Sequence, residues 1–181
     1  MSDLHLGTGL GELTGDYVLD PAGTRIGFVG RHTMASRVRG RFDAFEGSAH
    51  LDGDDPSRSG VRLTIEAGSI RTGNRRRDDQ LAASFLDADA HPAITFVSTR
   101  VEPSGGTTYR VTGDLTVRGT TRPVTVTFAL TGTGAAVRFT GSAVINRMDW
   151  GANWNAATAV LVSKEITLDL DVSATRRARS S

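Results

Sequence analysis

The chain has 181 residues, enough for one domain with a sizeable core. Its 21 lysines and arginines nearly balance 20 aspartates and glutamates, for a formal charge of +1, which argues against a surface built mainly to neutralise phosphates. It has no cysteine, which excludes disulfide scaffolds, thiol nucleophiles and cysteine-ligated zinc or iron–sulfur centres.

Residues 1–14 scatter single leucines among glycines and read as a flexible arm. They hold no basic region leading into an apolar run, so no export signal is read. No segment reaches the roughly 18 apolar residues of a membrane helix. A soluble, cytoplasmic protein with no stable membrane insertion is the expectation. GTGLG at 7–11 lacks the preceding strand that a dinucleotide loop needs and is set aside.

From residue 15 to 174 the apolar period is two, as in strands with one dry face. Short runs at Tyr17–Leu19 and Ile26–Val29 come first, then Val38–Leu51 as a bent strand or hairpin, then Val61–Ile65. The period breaks at Asn74–Phe85, where Arg, Gln, Leu and Ala favour helix. Asn74 suits the N-cap, Asp78 and Asp79 lie near the positive helix end, and Leu81 and Phe85 share one helical face. His91-Pro92 bars continuation of the helix. Strands resume at Ile94–Val101, Tyr109–Val117, Val124–Leu130, Val137–Ile145 and Glu165–Ala174, separated by Gly- and Pro-rich turns. Residues 175–181 read as a solvated basic tail.

Eight or nine strands without intervening helices predict an all-β, antiparallel sandwich or closed barrel, with one helix capping an end. A barrel of about eight strands either fills with side chains or holds one small ligand. Few large aromatics (seven Phe, two Trp, two Tyr) tilt the expectation toward a hollow interior. Glycines inside the strand patterns, at 27, 30, 40, 47, 113 and 141, mark bulges, bends or close approaches. Bends needed only to close the barrel explain them equally well.

The cluster Arg75–Arg77 reads as a solvated face, a structural ion pair from Arg77 to Asp78 or a facing strand, or an anion site. Nucleic acid is disfavoured by the scarcity of aromatics and the absence of a repeated basic stripe. There is no nucleophile elbow and no P-loop. The four histidines (5, 32, 50 and 91) never form a close-spaced ligand pair, so no metal site is expected.

Several stretches in order resemble the YceI family of lipocalin-like, polyisoprenoid-binding proteins. They are YVLDPAGTRIGFVGRH and VRGRFDAFEG, then SIRTGNRRRDDQLAASFLDADAHPAITFVST, GDLTVRGTTRPVTVTF and AVINRMDWG. The resemblance covers residues 16–173. It implies an extended antiparallel eight-stranded barrel around a long apolar pore, partly closed by the helix. It further implies a bound amphiphile with an isoprenoid tail, such as a quinone or its precursor, and no catalytic cofactor. By position, Arg77-Asp78 match the family's Arg-Asp pair, His32 its histidine near the second strand, and Asn146-Arg147 its late polar pair. Gln80 stands where many relatives have histidine, which removes a titratable group there.

On this reading the inward rows predict pore residues at Ile26, Phe28, Phe42, Leu63, Leu81 and Phe85. Further along they are Phe96, Leu115, Val126, Phe128, Ile145, Trp150 and Leu168. His32, Arg77 and Asn146 at the mouth would orient a head group. The competing expectations are an enzyme with His32 or Asp149 as acid–base, and a filled structural barrel. The partner expected is a hydrophobic small molecule; exposed strand edges would also allow a homodimer.

Overall fold

The alternating segments form strands throughout the computed structural model, which describes residues 11–32, 37–152 and 162–177. Three ribbons of the wall are each broken in two. The first is β1 (Gly15–Leu19) and β2 (Arg25–His32), the second β3 (Arg37–Phe42) and β4 (Phe45–Leu51), the third β5 (Gly60–Glu66) and β6 (Ile70–Arg71). Five unbroken strands follow: β7 (Ala93–Pro103), β8 (Thr108–Val117), β9 (Thr120–Gly132), β10 (Val137–Asn146) and β11 (Val162–Arg176). Each pairs antiparallel with the next, and β11 closes the ring against both β1 and β2. Eleven segments thus make an eight-stranded, up-and-down barrel.

The breaks have local causes and lie side by side. Pro21 cannot continue a ladder, and Asp20 Oδ1 accepts from Ala22 N to start a 3₁₀ turn. Thr24 ties that turn to β11, accepting from Ser173 N and donating to Ser173 O. In the third ribbon Ser69 Oγ donates to Glu66 O, while Ser69 O accepts from Asp43 N at the bend of the second. Val38–Leu51 is therefore a bent strand rather than a hairpin: β3 pairs with β2 and β6, whereas β4 pairs with β1 and β5.

Beyond its break the third ribbon leaves β7, and the segment after β6 fills the space. Asn74 caps α1 (Arg75–Gln80), accepting from Arg77 N at 3.0 Å, and a π-helical turn continues it over Leu81–Phe85. Leu81 and Leu86 are buried with Ile26, Ile65, Ile70 and Ile94. The tight turn at Arg118-Gly119 places both residues at positive φ, the backbone of a two-residue hairpin. From there Arg118 Nη1 donates to the carbonyls of Ser84 and Phe85, at 2.8 and 2.9 Å, and fastens the helical segment over the barrel end.

At the opposite end residues 12–17 meet the end of β11. β11 runs on to Arg176, past the point where a solvated tail was expected. The Arg176 guanidinium lies over Tyr17 and donates to the carbonyls of Thr14 and Glu12. Ring closure pairs the long strand edges whose exposure would have allowed a homodimer. Among the described residues no helix is long and apolar enough to cross a membrane.

Candidate functional site

The inward rows line a cavity of about 330 Å³, within the range of roughly 300–1,000 Å³ typical of ligand sites. It reaches from Tyr17, Leu130 and Ala174 at the termini end to Leu81, Phe85 and Trp150 under the helical cap. Ile166 and Ala174 of β11 both touch it, so eight residue steps of about 3.3 Å put its length at roughly 26 Å. The hollow interior expected from the sparse aromatics is present.

Cross-strand pairing of phenylalanine with glycine keeps part of it open. Phe128 is registered against Gly141, and a Cβ at Gly141 would lie 2.5 Å from the Phe128 ring. The same holds for Phe28 over Gly40, and Phe96 reaches diagonally over Gly113, where an added Cβ would lie 2.5 Å from its ring. Each phenyl occupies the place of the missing side chain on the neighbouring strand and lies along the wall. Three of the in-strand glycines are thus close approaches.

All thirteen predicted pore residues line this cavity: Ile26, Phe28, Phe42, Leu63, Leu81, Phe85, Phe96, Leu115, Val126, Phe128, Ile145, Trp150 and Leu168. Tyr109, Val111, Phe139 and Leu170 do too, and the same alternation carries them. Burial raises the pKa of the Tyr109 phenol. Trp150 is 4% exposed and donates from Nε1 to Leu115 O at 2.9 Å, which fixes its indole at the cap end.

The predicted polar groups divide. Arg147 is 3% exposed and lines the cavity, the one buried charge among its described lining residues. Its Nε donates to Ser163 O and its Nη1 to Ala152 O, and its guanidinium lies 5.8 Å from the Phe85 ring centroid. Burial lowers its pKa, yet a guanidinium remains charged. Asn146 points elsewhere, its Oδ1 capping the following turn by accepting from Met148 N. The side chain of His32 lies outside the described residues.

Arg77 and Asp78 are absent from the cavity lining and both turn to Thr72. Asp78, 7% exposed, accepts from Thr72 N and Thr72 Oγ1. Arg77 Nε donates to Thr72 Oγ1 at 2.8 Å and Nη2 to Thr72 O at 2.9 Å. The pair holds the entry to α1 through Thr72, not through the Arg77–Asp78 or strand ion pair read from the sequence, because a short loop leaves its backbone polar groups for side chains to satisfy. Asp78→Ala is expected to cost about 1–3 kcal/mol, read from urea unfolding, with the bound-ligand content of the purified protein unchanged. Ligand loss at unchanged stability would put Asp78 back among the head-group contacts.

Of the acid–base candidates, Asp149 is exposed outside the cavity, while the side chain of His32 lies outside the described residues; His50 sits on the outer face, where its Nδ1 lies 2.9 Å from Asp16 Oδ1. No group of three His, Asp or Glu side chains that could hold a metal occurs among the described residues.

The barrel has counterparts in known proteins. The YceI-like domain profile matches residues 17–174. A UPF0312 protein of Pseudomonas aeruginosa is 34% identical over 174 residues, covering 91% of this chain and 89% of that protein. One from Pseudomonas putida is 32% identical, covering 94% and 92%. The crystal structure of Burkholderia cenocepacia BcnA is similar at 28% identity and a TM-score of 0.81, covering 87% of this chain and 99% of that one. A polyisoprenoid binding domain from Saccharophagus degradans, implicated in plant cell wall breakdown, shares the fold at 16% identity and a TM-score of 0.71, with 89% and 98% covered. Since both the profile and the Pseudomonas relatives follow the barrel from its first ribbon to its last, the chain belongs to the YceI-like domain family.

Proposed function

We propose that the protein binds an amphiphile with a long apolar tail in the barrel lumen and serves to carry, store or sequester it. The observation that carries this reading is the apolar cavity running between the two ends of the barrel. Each methylene buried there contributes about 0.8 kcal/mol, so a tail several units long gains a large driving force without polar contacts. Freezing the tail's rotors and losing its free translation offset part of that gain.

The isoprenoid class, a quinone or its precursor among them, is the tail favoured, in keeping with the polyisoprenoid binding domain that shares this fold. The thirteen apolar lining residues would touch the tail. Arg147 at the cap end would orient a polar head, since its charge is the strongest polar feature of the lining. A binding role is favoured over a catalytic one because Asp149 lies outside the lumen and no described constellation joins a base to a nucleophile.

Mass spectrometry of the organic extract of the purified protein tests the reading. A prenylated compound at near-stoichiometric amount is expected, and it should vanish in a lumen-filling variant, Val126→Trp, that still folds. A clean extract from a host rich in isoprenoid quinones would sink the proposal.

A further inference from the structure

Arginine recurs with period two in β3, at Arg37, Arg39 and Arg41, exposed on the outer face while Val38 and Phe42 line the lumen. Pairing sets Arg71 of β6 directly beside Arg41, and Arg39, Arg41, Arg71 and Arg75 line one shallow surface groove. Arg76 is exposed next to them on α1. The exposed carboxylates among them are Asp43, 2.9 Å from Arg41 Nε and 3.7 Å from Arg71 Nε, and Asp79 at the groove. Asp78 is buried and turned to Thr72. With Arg25, which lines the same groove 3.8 Å from the exposed Asp169, seven guanidiniums meet three exposed carboxylates and leave four positive charges on one face of a chain whose total is +1. That is a strong local asymmetry.

A second observation lies in the same outer row of the wall. Arg39 is registered with Val29, Val29 with Thr167, and Thr167 with Val144. Val144 is 63% exposed, and Met148, just past β10, is 40% exposed. Three strand spacings of about 4.8 Å separate Arg39 from Val144, roughly 14 Å. Basic and aliphatic groups therefore share the end of the barrel that α1 covers, with Glu165 beside Thr167 and Asp149 beside Met148 as the exposed carboxylates there.

We propose that this face docks on an anionic lipid surface, with the β3, β6 and α1 arginines on the lipid phosphates and Val144 and Met148 in the headgroup layer. Anionic bilayers attract such arginines within about a Debye length. Aliphatic neighbours suit a headgroup layer, whereas single-stranded nucleic acid calls for aromatic platforms. Docking would bring the capped end of the lumen to the bilayer from which a tail enters or leaves. Only that purpose rests on the tail-binding reading; adsorption is measured separately from lumen content.

The test is co-sedimentation of the full chain with phosphatidylglycerol-containing vesicles and with pure phosphatidylcholine vesicles, at low and high salt. Adsorption to the anionic vesicles alone, reversed by salt, is expected. Arg37→Gln/Arg39→Gln/Arg75→Gln should weaken partitioning roughly 100-fold, about fivefold per arginine. Arg110→Gln/Arg122→Gln/Arg138→Gln removes the same charge from the outer faces of β8, β9 and β10 and should bind as the parent does. No adsorption to anionic vesicles, equal losses in the two variants, or tighter retention by DNA than by those vesicles would overturn the proposal. An empty solvent extract with adsorption intact would count against the tail reading and leave this one standing.

Discussion

Gly141→Leu is expected to strip the protein of most of the amphiphile proposed to occupy its lumen while leaving a folded barrel. Any side chain at Gly141 meets the ring of Phe128, with ring carbons 2.5, 2.6 and 3.1 Å from the added Cβ. The phenyl cannot stay along the wall and has one direction open to it, the lumen. There it takes the room of several tail methylenes. Four methylenes excluded at about 0.8 kcal/mol each weaken binding roughly 200-fold. Overpacking itself costs about 1–3 kcal/mol, a loss the wall survives because its ladders are untouched. Extracted ligand per protein, compared between the variant and parent, is the readout, with a thermal scan to confirm folding. Gly40→Ala, which drives the Phe28 ring inward in the same way, should repeat the loss. Undiminished ligand in both variants would show that these pairs do not set the room in the lumen.

Arg147→Met should be the most destabilising single change at the cap end. The guanidinium is 3% exposed and donates to the carbonyls of Ala152 and Ser163, so it joins the turn after β10 to the start of β11. Methionine fills similar volume but donates nothing. Two carbonyls lose their charged donor at about 1–3 kcal/mol each, for a total near 2–6 kcal/mol. Urea unfolding measures it as a lower midpoint at unchanged slope. Arg147→Lys keeps the charge but not the planar fork, and should recover only part of the loss. A midpoint within error of the parent for Arg147→Met would refute this account of the residue.

The alternation of apolar side chains was enough to place every unbroken strand, because a strand with one dry face cannot hide its period. It was also enough to name ten of the thirteen lumen residues, since inward and outward positions follow from parity along each strand, whereas Leu81, Phe85 and Trp150 lie on helical turns. The helix at Asn74 was equally legible: a capping side chain followed by helix formers, with Leu81 and Phe85 four apart, is local information. The RVRGR run of β3 was visible too, yet its three arginines became a face only when β6 and α1 brought Arg71, Arg75 and Arg76 beside them.

What residue types by themselves determined is the character of each surface: dry rows, wet rows, a capped helix and no thiol chemistry. Only the tertiary structure decided what those surfaces meet. Arg77, read as a head-group contact, and its neighbour Asp78 turn to Thr72, and Asn146 caps a turn, while Arg147 alone of these four lines the lumen. The physical reason is range. Periodicity reports which way a side chain faces its own strand or helix. A polar group's partner, or a glycine's opposing phenyl, lies across the sheet or on another segment, and is set by register and ring closure.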